Sequence, residues 1–256
     1  MEAGLEYEDG TEANIDTGAW LHHMVMYSRS TGKADVVCGG SLGLMPRRIF
    51  ASGNERTVKR LNSKSKNGVF IGAADRMSLI VELMNEAAES KTLYLTMTYE
   101  YVTDLGYKDS PLIWLDATGC GTSDVAAKEG YYELRSPAWK STVSGTLLLA
   151  DGHVHDGGVR VTFYKNGQQI CNSEQLYGMT SAYQEAEGSG HAGHGAAAGG
   201  ATMQHISNSG LCADFGTVAV GDELVAVSAY NTTRYPLQIH NGEAHPVMGI
   251  GNIYVG

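Results

Sequence analysis

Residues 92–102 read Thr-Leu-Tyr-Leu-Thr-Met-Thr-Tyr-Glu-Tyr-Val, with apolar or aromatic side chains at every second position from 93 to 101. Period two is the signature of a strand with one buried face, whereas an amphipathic helix repeats every 3.6 residues. Other strand-forming runs recur along the chain: residues 79–84, 145–150, 158–164, 223–230 and 252–255. The best helical stretch, residues 86–91, is short and lacks a capping residue. With 33 glycines among 256 residues supplying turns, the pattern predicts an all-β protein made of two jelly-roll-like β-sandwich domains packed side by side. The Ser136-Pro137-Ala138-Trp139-Lys140 stretch marks the boundary, giving domains 1–138 and 139–256. Two hairpins are expected. One joins residues 79–84 to residues 92–102 through a polar turn. The other joins residues 158–164 to residues 169–171 through Asn166-Gly167, a favoured type I′ pair.

Composition narrows the function. A formal charge of −10 disfavours nucleic acid or an anionic membrane as the main partner, and no apolar run is long enough for a membrane span. The four cysteines, Cys38, Cys120, Cys171 and Cys212, contain no Cys-x-x-Cys pair and so no thiolate zinc motif. They allow three disulfide connectivities, of which domain logic favours Cys38–Cys120 with Cys171–Cys212; four buried free thiols are the competing reading. The acidic N-terminus has no hydrophobic signal region. Either the chain is intracellular or it is the mature part of a secreted protein; the even cysteine count and the sequon at Asn231-Thr232-Thr233 lean to the second. Arg47, Arg48, Arg56, Lys59, Arg60, Lys64 and Lys66 form a basic cluster, expected to be a solvated face or a docking patch for an acidic partner. Residues 185–200, rich in glycine and containing His191 and His194, read as a mobile surface loop.

The candidate chemistry is metal chemistry. His153-Val154-His155 lies on a predicted strand, where alternate residues share a face, so both imidazoles would aim at one spot. Neutral imidazole is a common ligand of copper and zinc. His22-His23 is a second pair, though neighbours on a regular strand point to opposite faces. His205 is ambiguous, and His240 and His245 flank a polar turn. A thioether from Met248 would favour Cu(I) over zinc. A zinc hydrolase is the weaker option, since no His-Glu-x-x-His motif is present.

The combination of His22-His23-Met24, His153-Val154-His155 and Met248 resembles the copper type II, ascorbate-dependent monooxygenases, which include peptidylglycine α-hydroxylating monooxygenase and dopamine β-monooxygenase. Gly53-Asn54-Glu55-Arg56, Gly221-Asp222-Glu223-Leu224 and His245-Pro246-Val247-Met248-Gly249 look closer still to the plant stress-up-regulated nodulin-type proteins. The resemblance implies two sandwiches facing each other across a solvent-filled cleft with two separated coppers. His153, His155 and Met248 would hold the dioxygen-binding copper. His22 and His23 would hold an electron-storing copper, with Met84 near the place where a third histidine is expected and His245 as an extra or orienting ligand. Asp151 stands where the peptide hydroxylase has a substrate-holding arginine, which argues against a C-terminal peptide substrate. The expected protein is a secreted, disulfide-bonded, Asn231-glycosylated copper monooxygenase, using one or two copper ions, dioxygen, an external reductant such as ascorbate and a small-molecule or peptide substrate. The alternative is a copper-binding or sequestering protein without oxygen chemistry.

Overall fold

The structure, a computed structural model, describes residues 1–29, 33–40, 45–103, 106–185, 203–240 and 243–256. The predicted loop at residues 185–200, with His191 and His194, lies outside the described residues apart from Glu185. The described chain is all β, with only two short 3-10 turns, Ile15–Thr17 and Ser181–Tyr183. Its first strands are β1 (Glu2–Glu6), β2 (Ala19–Ser28), β3 (Arg47–Gly53), β4 (Asn67–Gly68), β5 (Met77–Asn85), β6 (Tyr94–Thr98) and β7 (Lys108–Asp109). There follow β8 (Leu112–Asp116), β9 (Tyr131–Arg135), β10 (Trp139–Lys140), β11 (Gly145–His153), β12 (Gly158–Lys165) and β13 (Gln168–Tyr177). The last are β14 (Ile206–Ser209), β15 (Cys212–Ala213), β16 (Thr217–Val218), β17 (Glu223–Asn231), β18 (Ile239–His240), β19 (Glu243–Ala244) and β20 (Ile250–Val255).

Three cores stack these sheets. In the C-terminal half, the sheet β10-β17-β12-β13-β14 faces the sheet β15-β11-β20-β8. Val161, Phe163 and Ala226 of the first meet Ile113, Ala150 and Ile253 of the second. In the N-terminal half, β1-β6 faces β3-β2-β5 across Leu5, Met24, Met26 and Phe50. A third cluster joins the halves: Ala51 and Leu61 pack with Trp114, Leu148, Ile250 and Tyr254. The Tyr254 hydroxyl also donates to the Ile49 carbonyl at 3.0 Å. Strands β8 and β9 precede residue 138, yet they hydrogen-bond into the C-terminal sheets, β8 to β20 and β9 to β17.

The Asn166-Gly167 hairpin forms as the sequence predicts: Lys165 pairs with Gln168, and both turn residues take positive φ, 51° and 78°. The other expected hairpin does not form. Strand β5 pairs with β2, and β6 crosses to the opposite sheet to pair with β1. Two amphipathic strands close in sequence are as well served by facing one another across a core as by pairing edge to edge. Here Val81 of β5 and Leu95 and Met97 of β6 all pack on the same N-terminal core. Both disulfides are Cys38–Cys120 and Cys171–Cys212.

The basic cluster is not one solvated face: Arg47, Arg48 and Lys59 are buried, whereas Arg60, Lys64 and Lys66 are exposed. Arg47 grips Asp109 through both terminal nitrogens at 2.8 and 3.0 Å. Arg48 pairs with Asp35 at 2.8 Å and lies over the Trp114 ring. Lys59 is sealed against Asp151 at 2.6 Å, both side chains 1% exposed. A buried cation requires a partner, so these three members record internal ion pairs. Among its members, Arg60 and Lys64 carry exposed side chains, 3.6 Å from Glu100 and Asp214.

Candidate metal centre

The histidines of both halves converge. Strand β2 carries His22 and His23, and its register against β5 shifts between Leu21 and His23. His22 is thus the extra residue of a bulge, which re-aims a side chain that a regular strand would turn away. The two neighbouring rings come to lie 5.2 Å apart, and the His22 ring sits 4.3 Å from that of His155. Strand β11 ends at His153, so His155 lies beyond the strand rather than on it. The rings of His153 and His155 are 5.5 Å apart and nearly perpendicular. His23 lies 6.0 Å from His153 and 6.1 Å from His155, centroid to centroid. The expected pair of separate centres across a solvent-filled cleft is replaced by one cluster: the pair from the first half and the pair from the second share it.

His155 is the best positioned member. Its amide donates to the Tyr230 hydroxyl at 3.0 Å, and that hydroxyl donates to the Met248 carbonyl at 2.6 Å. Its ring Nδ1 is 2.6 Å from the Pro246 carbonyl. A carbonyl only accepts, so Nδ1 carries the proton and Nε2 is left with a free lone pair. That Nε2 is buried and has no hydrogen-bond partner; the same holds for His22 Nε2, His23 Nδ1 and both ring nitrogens of His153. Buried nitrogens without partners are costly unless something ligates them. Ligand atoms of His22, His23 and His155 all lie within 4.8 Å of one another. The donor set, three neutral imidazoles, suits a copper or zinc ion.

Burial, reinforced by the other histidines, holds His22 and His155 well below the usual imidazole range, and lowers His23 to about 4. These three rings are therefore uncharged at neutral pH and can bind a cation without first losing protons. Beside it, Glu55 Oε1 is 3.7 Å from His153 Nδ1 and accepts the Gly53 amide at 2.9 Å. Burial works to raise the Glu55 pKa, but His153 and the Gly53 amide outweigh it and the value is lowered. Gly53 makes this approach possible: a Cβ there would sit 2.6 Å from His153 Cε1 and 2.2 Å from Glu55 Oε2.

A cavity of about 30 Å³ opens beside the rings, lined in part by Trp20, His22, Glu55, His153, His155 and His205. His205 does not join the ligand cluster. Its Nδ1 is 2.6 Å from Asp156 Oδ2, and its Nε2 is 3.6 Å from Glu185. Burial acts to lower its pKa, but Asp156 and then Glu185 overcome it and raise the value to about 10, so His205 is a buried cation.

Other expected residues fall differently. Met248 is buried in the apolar cluster between the halves, with Trp114, Leu149 and Ile250. Met84 packs with Ile15 and Trp20. His245 does reach the cluster, its ring 4.8 Å from that of His22. Asp151 faces Lys59 in the interior, so its acidity says nothing about the substrate. Sequence reasoning missed Glu82, which pairs with His23 across β2 and β5 and lies 3.4 Å from His23 Nε2. The available signal was a lone carboxylate inside the apolar run Leu79-Ile80-Val81-Glu82-Leu83-Met84.

No family model matches the chain. It is 33% identical over 261 residues to "Probable copper-dependent oxygenase clz3" of Cochliobolus lunatus, covering 100% of this chain and 78% of that protein. It is also 33% identical over 261 residues to "Probable copper-dependent oxygenase M1" of Phoma sp. (strain ATCC 20986 / MF5453). The chain belongs to this copper-dependent oxygenase family. It spans 62% of the length of the Phoma relative.

Proposed function

We propose that this family member is itself a copper-dependent oxygenase whose ion is held by His22, His23 and His155, with His153 alongside. The observation that carries the reading is the convergence of those three imidazoles, two buried and His23 partly so, from two halves of the chain, in a family whose relatives are named for copper. Copper, when bound, supplies one-electron redox chemistry with dioxygen. The protein's part is to present unprotonated rings, to fix the His155 tautomer through Pro246, and to keep bulk water out. The cavity beside the rings suits a molecule the size of water or dioxygen. The substrate would then meet the site from its exposed rim, and ascorbate is the reductant suggested by the type II monooxygenase resemblance. That kinship remains part of the proposal; the merging of the two histidine pairs departs from the arrangement it implies. Met248 belongs to the proposal as a ligand only if its thioether turns toward the rings. The two disulfides support an oxidising, extracellular location, where the Asn231-Thr232-Thr233 sequon would be a glycosylation acceptor.

The test is copper titration of the metal-free chain. One tightly bound ion is expected, and His155→Ala should weaken its binding at least tenfold; wild-type affinity in that variant would refute the ligand set. A purely copper-sequestering role is favoured by the small size of the cavity. Ascorbate-driven oxygen consumption no faster than that of free copper would select it.

A further inference from the structure

A second set of ligands overlaps the first. Ligand atoms of His22, Glu82 and His245 also lie within 4.8 Å of one another, so His22 belongs to both sets. The sets differ in access. His22 and His155 are 6% and 7% exposed, whereas the side chains of Glu82 and His245 are 44% and 20% exposed. Glu82 stands between them: one carboxylate oxygen is 3.4 Å from His23 Nε2 and the other 3.8 Å from His245 Nε2. One oxygen thus faces the inner set and the other the outer.

We propose that His22, Glu82 and His245 form a capture site that takes a copper ion from solvent and passes it inward to His22, His23 and His155. The proposal rests on the inner-site reading given above. A tetrahedral ion with bonds of about 2.1 Å needs ligand atoms about 3.4 Å apart. From the present spacing, rotation of the side chains closes the outer set. Its single carboxylate gives an incoming hydrated cation an oxygen ligand and a compensating charge at the rim, which the all-imidazole inner set lacks. Handover is ligand exchange. The Glu82 oxygen and the His245 nitrogen leave as the His23 and His155 nitrogens arrive, while His22 stays bound throughout. The oxidation state of the ion does not change and no co-reactant is consumed. Because His22 is shared, both sites cannot be full at once, and the loaded protein holds one ion.

The experiment adds Cu(II) to metal-free full-length protein and follows binding by equilibrium dialysis, EPR and stopped-flow quenching of tryptophan fluorescence. Glu82→Gln should end with one ion per chain, as in wild type, but load at least tenfold more slowly, with an unchanged melting temperature. His155→Ala should keep one ion at weaker affinity, with an EPR spectrum of fewer nitrogen ligands. The double variant His155→Ala/Glu82→Gln should lose it. Loading of Glu82→Gln at the wild-type rate, or residual binding in His155→Ala that ignores Glu82, would overturn the capture site and leave the inner site standing. Absence of copper binding by wild type would overturn both.

Discussion

Replacing Lys59 with methionine removes the cation that Asp151 faces in the interior, while keeping most of the side-chain volume. Both partners are 1% exposed and 2.6 Å apart. Burial already raises the Asp151 pKa, against the pull of Lys59. Without Lys59 the carboxylate has two options. It can stay ionised and unpaired, at about 3–5 kcal/mol. It can instead take a proton, which at pH 7 costs about 4 kcal/mol, because the unfolded group titrates about three pH units lower and each unit is worth about 1.4 kcal/mol. The cheaper route caps the loss at about 4 kcal/mol at neutral pH. A group whose folded pKa is raised keeps its stability below the unfolded pKa and loses it as pH rises, so the deficit should shrink to about 1.5 kcal/mol at pH 5. Urea unfolding of metal-free wild type and Lys59→Met, disulfides intact, at pH 5, 6 and 7 measures the difference. A deficit that is the same at pH 5 and pH 7, or below about 1 kcal/mol at pH 7, would refute the assignment of the cost to a stranded carboxylate. The double variant Lys59→Met/Asp151→Leu should recover most of the loss, since an apolar pair strands no charge.

Metal-free protein should be most stable near pH 6.5. Below it, the unfolded chain gains protons that His23, lowered to about 4, refuses, a loss of about 3 kcal/mol from that residue alone as pH falls from 6.5 to 4. Above it, the stability due to His205, whose pKa is raised to about 10, drains away as pH rises toward that value; melting temperatures that climb steadily from pH 6.5 to 9 would contradict this. Gly53→Ala forces a methyl group into His153 and Glu55, so it should shift the copper EPR spectrum more than it changes the melting temperature; an unaltered spectrum would place His153 away from the ion. Met248→Leu nearly conserves volume and should cost under about 1.5 kcal/mol in stability. If it also weakens Cu(I) binding by more than tenfold, the thioether is a ligand and not only packing.

The all-β class and the Asn166-Gly167 hairpin were legible because both rest on local chemistry, side-chain alternation and a turn with positive φ. Partner choice for β5 and β6 was not, because alternation says which face is buried and not which strand lies alongside. The same limit governed the site. His153 and His155 could be read as a pair from their spacing, but the bulge at His22 that swings it toward His155 leaves no local mark. Lys59 and Asp151 are 92 residues apart, one read as part of a basic cluster and the other as standing at a substrate anchor; only their meeting in the interior makes them a pair. Glu82 was overlooked because an acidic residue in an apolar run reads as an exposed strand position until its cross-strand neighbour is known to be His23.

The inner triad draws two members from β2 and one from the segment after β11, so no single group of sheets owns the site. With the proposed ligand set, an ion there would act as a keystone. It would bind only when the halves are seated, and an excess of about 100-fold over its dissociation constant would add about 2.7 kcal/mol to that seating. Copper affinity then becomes a gauge of docking: loosening the apolar cluster of Leu61 and Trp114 or the Lys59–Asp151 pair should cost affinity without a ligand being touched.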